Sequence, residues 1–479
     1  MSDVSFPDSP RRWWSLAALA FSLFMIYLDT TVVNVALPAI QADLHVTLAE
    51  LEWTVNAYTL AFAVLLLSGG KLADLLGRRR IFLAGLVVFT SSSLLCGLAT
   101  GGAILIAARA VQGAGAALML PSTLSIISVT FHPRERGTAF GVWAASSGIG
   151  AALGPLVGGA LVEGIDWRWI FFVNVPVGVV GFVAARVFVP ESRDPSLEQR
   201  LDLPGLATSG IGLFALTFAL VEGNRYGWSS ALILGCFVCA GLALAAFVVI
   251  EARSRLPMLN LGLFRRGAFA GANVVSLLSF LALFGVFFFV SIYLQRILGY
   301  SALETGATFL PMSVLVAISV PIAGKLTDRF GPRWPMTTGM ALLALGLLSQ
   351  SRLGAHSTFW DLLPGLVLAG IGTGFTIAPG NAAVLGNAPD AMAGVASAVV
   401  NTFRQTGGAL GVAIMGAIVA SRIGDLGVGD PRLPIAFVDG FQDALLFSAF
   451  AALVGALIAA FAIRTAPRLE TQELSGAGA

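Results

Sequence analysis

Residues 70–80 read GKLADLLGRRR, and a related stretch, GKLTDRFGPRW, occupies residues 324–334. Glycine, lysine, leucine, aspartate, glycine and arginine therefore recur at a single offset of 254 residues. Each copy follows a long apolar segment. Parallel repeats of this kind are a known plan of membrane transporters, so the chain is predicted to contain two copies of one structural unit.

The composition places the chain in a membrane. Of its 479 residues 57% are hydrophobic and 11% are charged, and the mean hydropathy is +0.87, whereas ordinary soluble domains are about 25% charged. The apolar segments are unbroken and about 20 residues long, which is the length of a membrane-spanning helix and roughly twice that of a barrel strand. We therefore predict an all-α polytopic membrane protein.

Other classes of protein fit this composition poorly. A formal net charge of +2 offers no basic surface for nucleic acid. The three cysteines lie in apolar segments and imply no disulfide framework, and the three histidines lie in predicted loops without the spacing of metal ligands. We predict no nucleic-acid partner and no metal site.

Fourteen apolar segments are predicted to cross the bilayer as helices. Their approximate bounds are 14–37, 52–70, 81–99, 103–125, 137–161, 170–189, 204–222, 230–250, 268–295, 306–323, 335–351, 360–382, 393–420 and 442–464. The repeated motif follows the second and the tenth segment. Segments 1–6 and 9–14 are therefore predicted to be two parallel six-helix halves, with two inserted central helices between them.

This arrangement divides the chain into five parts. The N-terminal half is predicted at 14–189 and the C-terminal half at 268–464. The insertion at 190–267 holds cytoplasmic linkers and helices 7 and 8. The segments 1–13 and 465–479 are predicted to be cytoplasmic tails.

Basic residues predict the orientation. With the N-terminus in the cytoplasm, 20 lysines and arginines fall in inner segments and 6 in outer segments, and the remaining two, Arg109 and Arg404, lie within spans. Cytoplasmic loops of membrane proteins are enriched in these residues. Both termini are thus predicted to be cytoplasmic, and the protein to lie in the plasma (inner) membrane.

One acidic residue lies deep in a predicted span. Residues 28–38 read LDTTVVNVALP, and Asp29 lies well inside the first apolar segment. A carboxylate at such depth costs about 2.5–3.5 kcal/mol on insertion scales, so an acid in a membrane span is a functional candidate. Asp29 is the only one of the 26 acids that the sequence places deep in a span, whereas Glu52 and Glu222 are placed near outer ends.

The motif at 70–80 has the form GxLaDxxGR[RK]x and resembles the signature of the major facilitator superfamily. The stretch 28–38 resembles the same region in the fourteen-span drug:proton antiporter branch of that superfamily. Further residues typical of the branch are Trp53, Asn56, Tyr58, the sequence WRWIF at 167–171, Asn174 and Pro176. The resemblance covers nearly the whole chain. It implies two halves that alternate access to a central site, powered by the proton gradient and without a cofactor.

Asp29 and Arg109 are the predicted proton-coupling pair. Asp29 lies about 8 residues from the outer end of span 1 and Arg109 about 6 from that of span 4, so both lie about 9–12 Å deep and can meet. Burial favours a neutral acid, whereas a nearby arginine favours the carboxylate. Movement that changes water access or the arginine contact would then load and release a proton. A static structural ion pair is the alternative.

The loop after span 2 and its repeat are the first part of a predicted conformational switch. The resemblance implies that ion pairs and helix caps bridge the gap between the halves and stabilise the outward-facing state. The residues assigned to this role are Gly70, Asp74, Gly77, Arg78, Arg79, Asp328 and Arg333. The alternative is ordinary anchoring by positive residues, which explains the arginines but neither the glycines nor Asp74.

Span 5 supplies the second part of the switch. Gly150, Gly154 and Gly158 recur every four residues, which makes a flat ridge for close helix approach, and Pro155 removes one helical hydrogen bond. The pattern GxxxGPxxGG resembles the antiporter motif of exporters in the superfamily. It predicts a flexing seam between the halves. Generic tight packing is the alternative.

Span 13 departs from the repeat, because it contains Arg404 between Asn401 and Gln405 and has no Gly-Pro pair. Three roles for Arg404 are open besides a structural one: it faces a watery cavity, binds an anionic substrate group or pairs with Asp29. The predicted substrate cavity is largely apolar with few polar groups. Its candidate residues are Trp53, Asn56, Tyr58, Gln112, Trp143, Phe280, Phe284, Phe287, Phe288, Asn401, Arg404 and Gln405.

These features together predict a proton-driven exporter of amphipathic organic molecules. Its partners are the substrate, protons and the lipid bilayer, and it is expected to be monomeric. The sequence has no GxxxxGK[ST] phosphate-binding loop for ATP. A dedicated exporter of one natural product and a lipid or glycolipid transporter are the alternatives. An intramembrane enzyme would need a nucleophile–base pair or a metal set at depth, which three loop histidines and one deep acid do not supply.

Overall fold

The structure is a computed structural model that describes residues 11–193, 202–254, 259–389, 392–424, 426 and 430–463. The predicted tail 465–479 and most of the tail 1–13 lie outside these residues. The regular structure of the described part is helical. Its sixteen α-helices are α1 (Arg11–Leu44), α2 (Leu48–Leu76), α3 (Arg78–Gly97), α4 (Gly102–Thr130), α5 (Pro133–Gly164), α6 (Trp169–Phe172), α7 (Asn174–Phe188), α8 (Leu203–Tyr226), α9 (Ala231–Arg253), α10 (Gly267–Ile292), α11 (Ala302–Thr308), α12 (Leu310–Phe330), α13 (Arg333–Gln350), α14 (Phe359–Gly386), α15 (Ala393–Ile423) and α16 (Leu433–Ala462). A 3₁₀ turn, Leu261–Arg265, precedes α10, and a π-helical turn, Tyr293–Ile297, follows it.

Thirteen helical segments of the described chain are long and apolar enough to cross a membrane. The short α6 and α7 together make one of them, as do α11 and α12. The predicted span 335–351 corresponds to α13, which has 18 residues and polar ends at Arg333 and Gln350. These ends lower its hydropathy, so α13 is the predicted span that is not among the thirteen. The chain is an all-α multi-pass membrane protein, as predicted.

The two copies of the repeated motif have the same local structure. Each ends a helix at a glycine with positive φ: Gly77 at +116° after α2 and Gly331 at +77° after α12. Side chains other than glycine rarely adopt such φ values. The second glycine of the motif is therefore required by the sharp turn into the next helix.

The helices pack in a pattern that occurs twice. In the N-terminal part α1 packs against α5 and α7, α4 packs against α2 and α3, and α3 also packs against α7. In the C-terminal part α10 packs against α15 and α16, α14 packs against α12 and α13, and α13 also packs against α16. The inserted α8 and α9 pack against each other, and α8 also contacts α2 and α15. This repetition supports two parallel halves, while their exact bounds in the chain stay a prediction.

Glycines bring the first and fifth helix of each half into close contact. A Cβ at Gly154 would collide with the Thr31 side chain of α1, and those at Gly150 and Gly158 would meet the backbone of α1 as well. A Cβ at Gly411 would collide with the Leu281 carbonyl of α10 in the same manner. The ridge of α5 thus faces α1 of its own half rather than the seam between the halves.

The seam between the halves lies on a different part of α5. Gly306 of α11 approaches the carbonyl of Pro155, and Gly159 approaches the backbone at Ala302. Pro155 is therefore the residue of the predicted switch in span 5 that contacts the other half. The glycine pattern correctly indicates close packing, but the sequence does not show which helix packs there.

The halves are joined at one end of the bundle, which is the predicted outer end. Gln295 in the π-helical turn donates to the Val35 carbonyl of α1 at 2.9 Å, and Arg296 donates to the Pro38 carbonyl at 3.3 Å. The Leu303 amide donates to Glu163 of α5 at 3.0 Å. Each of these hydrogen bonds between described residues of the two halves lies at this end. The bundle is therefore closed at the predicted outer end.

Candidate functional site

Asp29 is completely buried on α1, with an exposed fraction of 0%, and both of its carboxylate oxygens accept hydrogen bonds. Arg109 of α4 donates from Nη1 to Oδ2 at 2.6 Å. Gln112 donates from Nε2 to Oδ1 at 2.8 Å, and Asn174 of α7 donates from Nδ2 to the same oxygen at 2.9 Å. The structure thus brings the two members of the predicted proton-coupling pair together.

Arg109 is held in place by further contacts. Its Nε donates to the Thr54 carbonyl of α2 at 3.2 Å, and its Nη1 also donates to Gln112 Oε1 at 2.8 Å. The guanidinium lies 4.1 Å from the centre of the Tyr58 ring, which is a cation–π distance. A Cβ at Gly113 would collide with the Tyr58 carbonyl. Glycine at this position thus lets α4 approach α2 closely enough for these contacts.

A second layer of polar groups extends the network to α3. Asn174 Nδ2 also donates to Ser93 Oγ at 3.1 Å, and Ser93 Oγ donates to the Phe171 carbonyl at 2.9 Å. Cys96 Sγ lies 3.6 Å from Gln112 Oε1. Sequence reasoning noted Asn174 only as a mark of resemblance and missed Ser93. The sequence signal for Ser93 is a polar residue within an apolar segment. This signal is weak for serine, because a serine hydroxyl can donate its hydrogen bond to a carbonyl of its own helix.

The charge of Asp29 is compensated by its neighbours rather than by water. Arg109 has an exposed fraction of only 1%, and Gln112 and Asn174 are equally buried. Removal of one partner from such a pair leaves an uncompensated charge, which is strongly destabilising. A proton is the smallest species that can replace the arginine at this carboxylate. The arrangement can therefore exchange Arg109 for a proton if helices α1 and α4 separate or rotate.

Arg404 of α15 has a different environment. Its Nη2 donates to Asn381 Oδ1 of α14 at 2.7 Å, and its guanidinium lies 5.6 Å from the Phe280 ring centre. Its buried Nε has no hydrogen-bond partner among the described residues. The described partners of Asp29 do not include Arg404. In this conformation the arginine therefore has a neutral partner, Asn381, which the sequence did not indicate.

The remaining cavity candidates contact several different helices. Trp53 packs against Phe214 and Phe218 of α8. Trp143 donates from Nε1 to Thr123 Oγ1 at 2.9 Å, which joins α5 to α4. These tryptophans therefore serve contacts between neighbouring helices.

Several of the predicted cavity residues are internal to one half. Phe288 has no exposed surface and lies in the hydrophobic core with Phe289, so it lines no cavity in this conformation. Phe280 stacks on Phe284 at 5.5 Å between ring centres, and Phe287 packs against Phe309 at 4.9 Å with the two rings tilted. Asn56 and Tyr58 are fully buried, Asn401 donates to the Ser397 carbonyl of its own helix, and Gln405 is buried.

One apolar cavity of about 340 Å³ lies where the inserted helices meet both halves. Its walls come from α2, α8, α9, α15 and the segment around the start of α10. Among its lining residues are Leu67, Leu213, Phe247, Phe264, Leu277 and Phe403. No residue of the predicted cavity lines it. The sequence could not reveal it, because its walls come from helices that are distant in the chain.

The loop after α2 contacts α7 and not the other half. Asp74 near the end of α2 accepts from Arg78 Nε at the start of α3 at 2.7 Å, across the turn at Gly77. The Arg79 amide donates to Glu191 at 3.1 Å. A Cβ at Gly77 would meet the Glu191 carboxylate. The predicted ion pairs across the gap between the halves are therefore absent among the described residues. Sequence reasoning missed Glu191, which follows the end of α7 by a few residues.

The other members of the predicted switch are placed as follows. Gly70 packs against Pro121 of α4. Arg333 lies with its guanidinium 4.9 Å from the Trp334 ring centre. The described ion pairs do not include Asp328, which is exposed. In this conformation the second copy of the motif thus makes local contacts only.

Three further acids of the described chain are buried, although the sequence places none of them deep in a span. Glu52 of α2 and Glu251 of α9 are each 3% exposed, and Glu222 of α8 is 7% exposed. Glu52 and Glu222 lie near the predicted outer end, as expected from the sequence. Glu52 is nevertheless enclosed, because α8 and α15 cover this part of α2. The position of a residue along its span does not show whether neighbouring helices bury it.

The chain was compared with known families and proteins. A family model described as Major Facilitator Superfamily matches residues 19–412 and 272–478. The puromycin resistance protein of Streptomyces alboniger is 39% identical over 462 residues, covering 95% of this chain and 91% of the relative. The cephamycin export protein of Amycolatopsis lactamdurans is 38% identical over 450 residues, covering 93% and 92%. The tetracenomycin C resistance and export protein of Streptomyces glaucescens is 37% identical, covering 87% and 77%.

Solved structures give the same fold at much lower identity. A bacterial homologue of the human lysosomal transporter Spinster matches with a TM-score of 0.68 and 18% identity, over 95% of this chain and 98% of that one. A POT family transporter matches with a TM-score of 0.68 and 17% identity, over 92% and 94%. At this identity the likeness concerns the path of the helices alone.

Proposed function

We propose that this chain, which belongs to the Major Facilitator Superfamily, exports amphipathic organic molecules of the drug or antibiotic class in exchange for protons. Relatives that cover most of the chain are named as antibiotic resistance and export proteins, which supports this class of substrate. Transport would proceed by alternating access between the two halves. No cofactor other than the proton gradient is needed, and we expect a monomer.

The network around Asp29 is the observation that supports proton coupling. In the conformation closed at the predicted outer end, Arg109 neutralises the carboxylate and water is excluded. A movement that withdraws Arg109 would expose a buried charge, and proton uptake would remove that charge. Re-formation of the ion pair would expel the proton. The proton and Arg109 thus compete for one carboxylate, which links proton binding to helix movement.

The orientation of the cycle follows from the basic residues. With 20 inner and 6 outer lysines and arginines, the end at which the halves are joined faces outward. The described conformation would then receive substrate from the cytoplasmic side. Both termini would be cytoplasmic, in the plasma membrane.

Proteoliposomes with an imposed pH gradient test the proposal. Asp29→Asn keeps the size of the side chain and removes its charge, so we expect gradient-driven substrate uptake to fall to the level of protein-free vesicles. Asp443→Asn is the matched control, because Asp443 forms an exposed ion pair with Arg422 at the outer surface. Undiminished gradient-driven transport by Asp29→Asn would refute proton coupling at this residue.

A dedicated exporter of one natural product is the second candidate. It is favoured by relatives named after single antibiotics, such as puromycin and cephamycin. A relative named as a multidrug resistance protein, from Mycobacterium tuberculosis, is 37% identical over 408 residues. Growth protection against a panel of unrelated drugs separates the two candidates. Protection against one compound alone indicates the dedicated exporter.

A further inference from the structure

Glu52 lies at the contact between the two halves. It sits one turn into α2, and its Oε2 has no hydrogen-bond partner among the described residues although the side chain is 3% exposed. Its carboxylate fills the space that a Cβ at Gly416 of α15 would occupy. A larger residue than glycine at 416 would therefore push α15 away from α2. The burial of Glu52 depends on the two halves being closed here.

Glu222 ties the inserted helices to the same contact. Its Oε1 accepts a hydrogen bond from Trp53 Nε1 of α2 at 3.1 Å. Two residues later, Asn224 donates from Nδ2 to the Ala417 carbonyl of α15 at 2.8 Å. Helix α8 thus bonds to one helix from each half, at the level of Glu52. We call Glu52, Trp53, Glu222, Asn224 and Gly416 the outer junction.

The charges of the outer junction do not balance. Glu222 accepts a hydrogen bond from Trp53, the residue after Glu52, so the two carboxylates are neighbours. Arg225 Nη1 lies 3.6 Å from Glu222 Oε2, with a side chain that is 69% exposed. From α15 the facing residue is Gly416, which brings no charge. Arg109 of α4 reaches the Thr54 carbonyl but is bound to Asp29. Among the described ion pairs Glu222 therefore has one solvent-exposed arginine and Glu52 has none.

Such a pair is unfavourable while both members are ionised. Removal of a carboxylate from water is costly, and a like charge in a region of low dielectric adds repulsion. One proton on Glu52 cancels its charge and turns an unpaired acceptor into a donor. The bond formed is O–H on the carboxylate, and the proton comes from the aqueous phase at the predicted outer surface.

We propose that Glu52 and Glu222 form a proton-binding site that takes up one proton as the outer end of the transporter closes. When α15 moves away from α2, the carboxylate of Glu52 meets water and loses the proton. A state that binds more protons is favoured as the pH falls. Acid at the outer surface therefore drives closure of that end, and the inserted helices α8 and α9 belong to the proton-linked machinery.

This inference deepens the proposed function, because it rests on alternating access between the halves. It does not rest on Asp29 as the coupling acid. In an exporter, closure of the outer end is the step that returns the empty transporter to the cytoplasmic side. Protonation of the outer junction would then let the proton gradient drive that return step.

Distance measurement between two spin labels tests the inference on the full chain in lipid nanodiscs. The labels are attached at Ala42→Cys and Ser421→Cys, which are exposed positions near the outer ends of α1 and α15. Cys236 and Cys239 are replaced by serine, and the buried Cys96 stays. The labels are read in the Asp29→Asn background, because the proton exchange proposed for the Asp29–Arg109 pair has the opposite sense. There we expect the ratio of short to long distances to rise as the pH falls from about 8.5 to about 5.5, with a slope of at most about tenfold per pH unit for one proton.

Variants of the outer junction separate its members. Glu52→Gln should hold the short distance at every pH, because the amide imitates the protonated acid. Glu222→Gln should move the midpoint to lower pH, because the repulsion is gone. Gly416→Ala should shift the ratio toward long distances, which provides an independent variant of opposite sign. All variants are made in the Asp29→Asn background. Glu50→Gln is the matched control, since glutamine can keep the helix cap formed with Thr47, and it should leave the profile of that background unchanged.

The inference is overturned if the ratio in the Asp29→Asn background does not change with pH, or if adding Glu52→Gln keeps the profile of that background. The wild type, in which the Asp29–Arg109 pair exchanges a proton in the opposite sense, should show a weaker response. A flat profile in the Asp29→Asn background, together with loss of gradient-driven transport by Asp29→Asn, would overturn the outer junction and leave the proposed function intact. Undiminished gradient-driven transport by Asp29→Asn would overturn the proposed function, while the pH response of the distances in that background would still decide on the outer junction.

Discussion

The two halves of this transporter share their packing but not their buried charges. Gly154 presses α5 onto α1 as Gly411 presses α15 onto α10. By contrast, Asp29 in the first half has an arginine and two amides on its oxygens. Arg404 in the second half donates to the Asn381 amide and the Ile377 carbonyl, and its buried Nε has no partner among the described residues. The repeat therefore preserves the packing, whereas the arginine with an acidic partner at depth lies in the first half.

The largest effect is expected from Arg109→Gln. It leaves Asp29 buried without its counter-charge, so we expect the free energy of unfolding to fall by about 3–5 kcal/mol. Unfolding in mixed micelles measures it. Adding Asp29→Asn should restore most of the loss, since neither charge is then present. If the double variant is as unstable as Arg109→Gln alone, the charge imbalance is not the cause.

The glycine ridges should respond equally in the two halves. Gly154→Leu and Gly411→Leu each force a side chain into a helix–helix contact, and we expect each to cost about 1–3 kcal/mol and to abolish transport. Gly141→Leu and Gly394→Leu are matched controls on the same helices, because a Cβ at those positions meets nothing within 4 Å. A large effect in only one half would show that the two similar helix contacts contribute unequally to stability and transport.

Arg404→Gln should have a smaller effect than Arg109→Gln. Its described partner is neutral, so the lost hydrogen bond is offset by relief from burying a charge, and we expect a change of about 1 kcal/mol in unfolding free energy. The same micelle assay compares the two arginines directly. A loss as large as that of Arg109→Gln would mean that Arg404 has an acidic partner under the conditions of measurement, and the contrast between the halves would disappear.

Asp74→Asn should have the smallest effect on stability. Its ion pair with Arg78 joins the end of α2 to the start of α3 and is partly exposed, so it is worth about 0.2–1 kcal/mol. Transport is the informative measurement. If the loop after α2 acts as a latch in the opposite conformation, transport falls several-fold although stability hardly changes. Unchanged transport would mean that this loop only holds the start of α3 against the segment that follows α7.

The sequence predicts most of the fold because the fold depends on long apolar segments and one repeated motif. Each predicted span corresponds to a helix or to a pair of short helices. The equal depths of Asp29 and Arg109 also bring them within reach, since depth along a straight helix follows from counting residues. Glycine occurs at both 77 and 331 because the backbone has a positive φ there, which few other residue types adopt.

What the sequence does not show is which helices are neighbours. Glu52 lies near an outer end and is buried only because α8 and α15 cover it. Asn381 of α14 is the partner of Arg404 on α15, and Glu191 is the partner of Arg79, which is distant in the chain. The candidate cavity residues were chosen by type, and aromatic side chains also fill cores, as Phe288 does. Lateral arrangement is decided by tertiary packing, which periodicity does not encode.

The hydrogen bonds that close the outer end divide the roles of the two halves. Gln295 and Arg296 bond to the main-chain carbonyls of Val35 and Pro38. Substitution of the side chains at 35 and 38 removes neither acceptor, since every residue type carries the same carbonyl. Both side chains are buried, so changes on α1 act on this closure through packing, whereas changes at Gln295 or Arg296 remove the hydrogen bonds themselves.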